Sequence, residues 1–207
     1  MYKYFLFDID GTLVDTEMTG LTSLGKTVEQ LCGRHMTLEE LYPYFGIPSY
    51  EASKMLGLGD PDRFAELWEE NFQEAIGLSK IFDGIPEVLD TIRDSDRIMG
   101  VITSRSRLEF DNDRLTTPWK PFFRIVICSE DSVTHKPEPG PALAFLERSG
   151  AKAEECIYIG DTMHDCSCAH GAGIDFALAD WNGKGAQKIP AEYHFTRPEE
   201  ILQLLKK

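Results

Sequence analysis

Two aspartates, Asp8 and Asp10, lie at the end of an apolar run that predicts a strand over Tyr4 to Ile9. Side chains two residues apart in a strand point the same way, so both carboxylates are expected to face one point, where Gly11 allows a sharp turn. Carboxylates this close repel each other unless a proton or a cation lies between them. The segment predicts a metal site, an acid/base pair or a nucleophile beside an acid; two solvated aspartates at a strand end remain an equal alternative.

Three later segments decide between these alternatives. One apolar run ends in Thr103 and Ser104. Further on, Lys136 precedes a proline in a loop before a predicted helix, and another apolar run ends just before Asp161, with Asp165 four residues later. In an open α/β sheet, functional groups collect at the carboxyl ends of the strands. Hard oxygen ligands for Mg²⁺, together with a hydroxyl and an ammonium for phosphate oxygens, predict a metal-and-phosphate site.

Taken together, these segments have the order of a known family. Asp-x-Asp-Gly-Thr at 8–12, a strand that ends in Thr103, Lys136-Pro137 and Gly-Asp-x-x-x-Asp at 160–165 follow one another along the chain. This set resembles the haloacid dehalogenase-like hydrolase superfamily, and within it the phosphoglycolate phosphatase-like subgroup, over nearly the whole chain. The resemblance implies an α/β fold: a Rossmann-like parallel sheet core with a small all-helical cap inserted after the first strand.

The resemblance also implies the catalytic roles. Asp8 would be the nucleophile that forms an aspartyl-phosphate. Asp10 would be the general acid for the leaving alcohol and then the base for the attacking water. Lys136 would neutralise phosphate charge and steady Asp8, and Thr103 would hydrogen-bond the transferring phosphate.

The remaining implied roles concern the phosphate and the cofactor, Mg²⁺. Ser104 would assist phosphate binding through its backbone amide, beside Thr103 and Lys136. The metal ligands would be Asp8, Asp10 through its backbone carbonyl, Asp161 and, beside it or one layer out, Asp165. These seven residues are the predicted site.

The residue at position 10 restricts the class of reaction expected within this family. Dehalogenase relatives carry tyrosine there and phosphonatase relatives carry alanine, so Asp10 favours phosphate-ester chemistry. Mutase relatives carry an arginine just past a glycine turn in the cap, where this chain reads Phe-Gly-Ile-Pro-Ser at 45–49. The expected function is hydrolysis of a small phosphomonoester; an inorganic pyrophosphatase, a sugar-phosphate mutase and a non-catalytic phosphate-binding relative are the alternatives.

Apolar periodicity locates the elements that must position these residues. About sixty residues after the first strand have helical spacing, with one apolar face formed by Met18, Leu21, Leu24, Val28 and Leu31, and a second helix that starts at Asp60-Pro61 and ends at Gly77. Strands then alternate with helices; the predicted strands are 98–103, 125–128, 156–159 and 176–179, and the predicted helices include 141–149 and 163–171. This order predicts a parallel sheet, with a core of 1–15 and 82–207 and a helical cap of 16–81.

Composition limits the partners and the compartment. The formal charge of −14 over 207 residues argues against a nucleic-acid backbone or an anionic membrane as partner, and favours a small phosphorylated metabolite that binds beside a cation. No apolar run reaches the length of a membrane span and no secretory signal is evident, so we expect a cytoplasmic protein. Five cysteines without a regular framework fit a reducing compartment, and Cys166 and Cys168 are too poorly spaced on a helix to predict a zinc site. The sequence does not indicate the oligomeric state.

Overall fold

The computed structural model describes residues 1–45, 49–183 and 189–206. The strands, in chain order, are β1 Tyr4–Phe7, β2 Val14–Asp15, β3 Lys80–Ile81, β4 Ile98–Ile102, β5 Phe123–Ile127, β6 Cys156–Gly160, β7 Asp175–Ala179 and β8 Tyr193–Phe195. The α-helices are α1 Glu17–Cys32, α2 Leu38–Leu41, α3 Ser49–Met55, α4 Pro61–Ala75, α5 Ile85–Arg93, α6 Arg107–Asn112, α7 Gly140–Ser149 and α8 Met163–Gly171. A 3₁₀ helix, Pro198–Lys206, ends the described chain.

Two compact units divide the chain. One contains residues 1–14 and 81–207, and the other contains residues 15–80. The short strands β2 and β3 pair with each other where the chain passes from one unit to the other and back. None of the helices in the described ranges combines the length and the apolar character needed to cross a bilayer.

The first unit is built on a parallel sheet, as the alternating pattern predicted. Six strands lie in the order β5-β4-β1-β6-β7-β8, and every neighbouring pair is parallel. The two sheet faces separate by strand alternation: Phe5 and Phe7 pack on one face, and Tyr4 and Leu6 on the other. Because β4, β1 and β6 are adjacent, three of the predicted functional strand ends lie side by side.

The sixth strand is a finding beyond the predicted five. β8 has only three residues and pairs with the outer edge of β7, where Ala177 lies opposite Tyr193. Strands of this length have too little periodicity to be predicted from sequence. Strand β8 extends the sheet on the side away from β4, so the arrangement of the predicted site does not depend on it.

The second unit is helical. In α1 the buried side chains include Leu21, Leu24 and Val28, and the helix ends at Gly33, which adopts the left-handed conformation. The prediction was wrong for Met18, whose side chain is 45% exposed, because the helix begins at Glu17 and its first turn lies at the end of the apolar face. Helix α4 begins as predicted, with the side chain of Asp60 accepting a hydrogen bond from the backbone of Arg63 at 3.0 Å.

Candidate active site

The carboxylate of Asp8 lies in a buried group of charges at the end of β1. The backbone N–H of Asp8 donates to the carbonyl of Ile159 at 2.9 Å, which continues the pairing of β1 with β6 by one residue. The Lys136 ammonium donates to Asp8 Oδ1 at 2.7 Å and to Asp165 Oδ1 at 2.7 Å. The side chains of all three residues are less than 10% exposed, so these ion pairs are shielded from water.

A turn that only glycine fits brings Asp161 close to this group. Gly11 has φ of +83°, and a Cβ atom at that position would lie 2.2 Å from Asp161 Oδ2. The same turn is held by Thr12, whose hydroxyl donates to Asp161 Oδ1 at 3.3 Å and whose carbonyl accepts from the Trp181 indole at 2.8 Å. The glycine therefore permits the approach of Asp161 to the end of β1.

Three carboxylates form a candidate metal site. Oxygen atoms of Asp8, Asp161 and Asp165 all lie within 4.8 Å of one another. Elsewhere in residues 1–45, 49–183 and 189–206, no other His, Cys, Asp or Glu cluster of this kind occurs, and Cys166 and Cys168 are instead buried in the core. Hard, closely spaced carboxylate oxygens are the donor set that Mg²⁺ prefers.

The pKa values in the group reflect burial first and the neighbouring charges second. Burial, opposed by the Lys136 charge and assisted by the Asp165 and Asp10 charges, raises the pKa of Asp8 to about 7. Burial and the charges of Asp165 and Asp8 also raise the pKa of Asp161 well above its ordinary value. Burial disfavours the Lys136 ammonium, but the two neighbouring carboxylates outweigh this and raise its pKa. A cation between the carboxylates would replace the protons that they otherwise tend to hold.

Asp165 is the most completely hydrogen-bonded carboxylate of the group. Its Oδ1 accepts from Lys136 and from the Tyr158 hydroxyl at 2.9 Å, and its Oδ2 accepts from the Thr162 backbone at 3.1 Å and the Thr162 hydroxyl at 2.5 Å. Although burial opposes ionisation, Lys136 and these donors lower the pKa of Asp165. The geometry makes Asp165 the fixed partner that orients Lys136.

Sequence reasoning missed two of the donors to Asp165. Thr162 and Asp165 form a capping box at the start of α8, and the pattern Thr-x-x-Asp before a helix could have indicated it. Tyr158 lies in the middle of β6 and is fully buried. Its place among apolar residues gave no signal that its hydroxyl reaches Asp165 and the carbonyl of Ile102 at 3.0 Å.

The carboxylate of Asp10 faces a different partner. The predicted alternation would direct it with Asp8 to one point, but the group formed by Asp8, Asp161 and Asp165 does not include it. Instead Arg105 Nε donates to Asp10 Oδ2 at 2.8 Å, and Arg105 Nη2 donates to Asp10 Oδ1 at 2.7 Å. The chain turns directly after β1, so the two-residue strand period no longer applies at Asp10.

Thr103 and Ser104 follow β4, next to β1. Thr103 is buried, its backbone N–H donates to the carbonyl of Ile127 at 3.0 Å, and its hydroxyl accepts from the backbone N–H of Arg105 at 3.2 Å. Ser104 is exposed. The segment at 45–49, which bears on the mutase alternative, includes residues 46–48 and the side chain of Ser49, which lie outside the described residues.

Comparison with known proteins finds relatives that are hydrolases or phosphatases. The family model described as haloacid dehalogenase-like hydrolase matches residues 5–179. Pyrophosphatase PpaX of Bacillus velezensis is 28% identical over 203 residues, which are 96% of this chain and 94% of that protein. Phosphoglycolate phosphatase of Xylella fastidiosa is 26% identical over 196 residues, covering 89% of this chain and 83% of that protein.

Solved structures agree with the fold. A candidate phosphoglycolate phosphatase from Lactobacillus plantarum superimposes with a TM-score of 0.91 at 25% identity, over 99% of both chains. A candidate β-phosphoglucomutase from Thermotoga maritima has a TM-score of 0.78 at 23% identity, over 100% of this chain and 99% of that one, and shows the fold alone. Because the family model extends over most of its length, the chain belongs to the haloacid dehalogenase-like hydrolase family.

Proposed function

We propose that the chain is a Mg²⁺-dependent phosphatase that hydrolyses a small phosphomonoester through a phosphorylated Asp8. Its family and its relatives make it an enzyme, a hydrolase of phosphoric esters. The metal, the intermediate and the substrate are the parts that we propose. The observation that supports them most directly is the buried Asp8 carboxylate, 2.7 Å from the Lys136 ammonium and grouped with Asp161 and Asp165.

The residues fit a divalent cation. With all groups ionised, three carboxylates and one ammonium leave two negative charges in a buried volume, which a divalent cation would balance. Asp8, Asp161 and the backbone carbonyl of Asp10 would hold it, with Asp165 as a further ligand or as the carboxylate that fixes Lys136. When bound, Mg²⁺ would neutralise charge on the transferring phosphoryl group and allow an anionic nucleophile to approach it.

In the first half-reaction a carboxylate oxygen of Asp8 forms a bond to phosphorus as the bond to the leaving oxygen breaks. Asp10 gives a proton to that oxygen, so an alcohol leaves. Lys136 and the Thr103 hydroxyl, with the backbone amide of Ser104, bind the phosphoryl oxygens.

In the second half-reaction water attacks the phosphorus of the aspartyl-phosphate. Asp10, now a carboxylate, takes a proton from that water, and Asp8 is released as inorganic phosphate forms. The proton on Asp10 is then ready for the next leaving group, so the cycle balances.

A small metabolite is the proposed substrate class, and two candidates have support from relatives. Phosphoglycolate is favoured by the Xylella fastidiosa relative, and inorganic pyrophosphate by the Bacillus velezensis relative, each aligned over most of the chain. For pyrophosphate the same residues act, but the leaving group is phosphate and needs less help from Asp10. The mutase alternative has only a fold-level likeness.

The test is phosphate release from phosphoglycolate, pyrophosphate, hexose phosphates and nucleotides, with Mg²⁺ and with EDTA. Metal-dependent release from one compound, with acid-stable ³²P on the wild type but not on Asp8→Asn, is the expected result. Conversion between hexose phosphate isomers without release would favour a mutase. Binding of Mg²⁺ and ligand without turnover of any compound would favour a non-catalytic relative.

A further inference from the structure

Both the side chain and the backbone of Arg105 make contacts within the protein. Two of its guanidinium nitrogens donate to the two oxygens of Asp10 at 2.8 and 2.7 Å, and the third, Nη1, lies 3.1 Å from Asp113 Oδ2. Its backbone N–H donates to the Thr103 hydroxyl, and its carbonyl accepts from the backbone of Ser129. The side chain is only 10% exposed, so this is an internal contact network.

The carboxylate of Asp113, which contacts the Arg105 guanidinium, is itself held by hydrogen bonds. It follows α6 and is 3% exposed at its side chain. Its Oδ1 accepts from the backbone of Leu115 at 2.8 Å, and its Oδ2 accepts from the Thr116 hydroxyl at 2.6 Å. A buried carboxylate with these donors cannot rotate freely, so it sets the position of the Arg105 guanidinium.

The bidentate contact from the Arg105 guanidinium determines the plane of the Asp10 carboxylate. Two parallel N–H···O bonds fix both the position and the rotation of the group, which a single donor cannot do. Arg105 also contacts Thr103, so one residue links the proposed proton-transfer group to the proposed phosphate-binding hydroxyl.

We propose that Arg105 is the positioning residue for Asp10 and that Asp113 anchors it. The inference rests on the proposed function, since it concerns how Asp10 is presented for proton transfer. Arg105 acts on the reaction through Asp10, because its guanidinium nitrogens already contact Asp10 and Asp113. We therefore expect loss of Arg105 to slow chiefly the steps in which Asp10 moves a proton.

This restriction gives a kinetic signature. An alkyl phosphate needs a proton on its leaving oxygen, whereas 4-nitrophenyl phosphate releases a stable phenolate without one. In Arg105→Gln, formation of the aspartyl-phosphate should slow for the alkyl ester and stay within about threefold of wild type for the nitrophenyl ester. Attack of water needs Asp10 with both esters and should slow about 100-fold, since a misplaced catalytic group typically loses this much.

The experiment is rapid-mix kinetics on the full chain with Mg²⁺, with phosphoenzyme trapped by acid. For Arg105→Gln with 4-nitrophenyl phosphate we expect a burst of nitrophenolate, slow turnover and accumulated phosphoenzyme, with KM falling together with kcat so that kcat/KM stays near the wild-type value. Arg105→Lys keeps the charge without the fork and should recover part of the second step. Asp113→Asn should show the same burst in weaker form.

Arg107→Gln is the matched control. Arg107 is nearby in sequence and pairs with Asp131 at 2.7 Å, away from Asp10, so this variant should keep wild-type kinetics. Equal losses in both steps without a burst would assign Arg105 a general structural role, and a raised KM at unchanged kcat would make it a substrate contact; either result overturns the inference. No phosphate release by the wild type from either ester would overturn the proposed function itself.

Discussion

Replacing Asp8 with asparagine should abolish turnover and, in metal-free protein, reduce the loss of stability as pH rises from acidic to neutral. Burial holds the pKa of Asp8 at about 7, against 3.8 for an unhindered aspartate. The folded protein therefore binds a proton that the unfolded chain has released between these two values. Because the folded state then holds more protons than the unfolded state, the Asp8 contribution to stability falls as pH rises through this window.

The size of the effect follows from the two pKa values. Each pKa unit corresponds to about 1.4 kcal/mol, so the ionised Asp8 costs the folded state about 4 kcal/mol well above pH 7. Between pH 5 and pH 8 the cost grows by about 3 kcal/mol. Asp8→Asn carries no titrating group there and should gain about that much relative to wild type over the same interval.

The assay is urea unfolding of both proteins in EDTA at pH 5, 6.5 and 8, followed by the same series with Mg²⁺. We expect the stability difference between variant and wild type to shift toward the variant as pH rises, and Mg²⁺ to restore wild type selectively. A difference that stays constant from pH 5 to pH 8 would refute the reasoning, because Asp8 would then titrate alike in the folded and unfolded states.

Three further outcomes follow from the same contacts. Lys136→Met removes the ammonium that pairs with Asp8 and should lower the free energy of unfolding by about 3–5 kcal/mol at pH 8, and less at pH 5 where protons replace it; urea unfolding measures this, and equal losses at both pH values would contradict it. Mg²⁺ affinity should rise from pH 5 to pH 8 because the proton on Asp8 must leave, with calorimetry in two buffers showing proton release; pH-independent affinity would contradict it. Tyr158→Phe removes a donor to Asp165 and should cost about 1–3 kcal/mol in urea unfolding, whereas a cost near zero would mean that the hydroxyl adds nothing.

The sequence predicted the strand ends well because their placement depends on backbone topology. Asp8, Thr103 and Asp161 follow β1, β4 and β6, and apolar periodicity is sufficient to locate those strands. Parallel pairing then brings their carboxyl ends to the same edge of the sheet. Once the strands are located, this placement follows from parallel pairing and does not depend on which residues follow the strands.

The sequence could not predict which oxygens meet which donors. Asp10 lies in a turn, where one or two dihedral angles decide whether its carboxylate faces Asp8 or Arg105. Asp113 lies 103 positions after Asp10 along the chain and has no spacing relation to it. Contacts of this kind depend on tertiary packing of a loop against a strand end, which a pattern of apolar residues does not encode.

Under the proposed function, the charges at the end of β1 would set stability against activity. Burial and neighbouring charges raise the pKa values of Asp8 and Asp161, and a protonated Asp8 would be a poor nucleophile in the proposed reaction. Replacing them with neutral residues would remove that cost, and with it the donor set for Mg²⁺. The same proximity that raises these pKa values would therefore favour binding of the proposed cation, since the binding free energy would include relief of the repulsion. On this proposal, a site with well-separated carboxylates would fold more easily and bind Mg²⁺ more weakly.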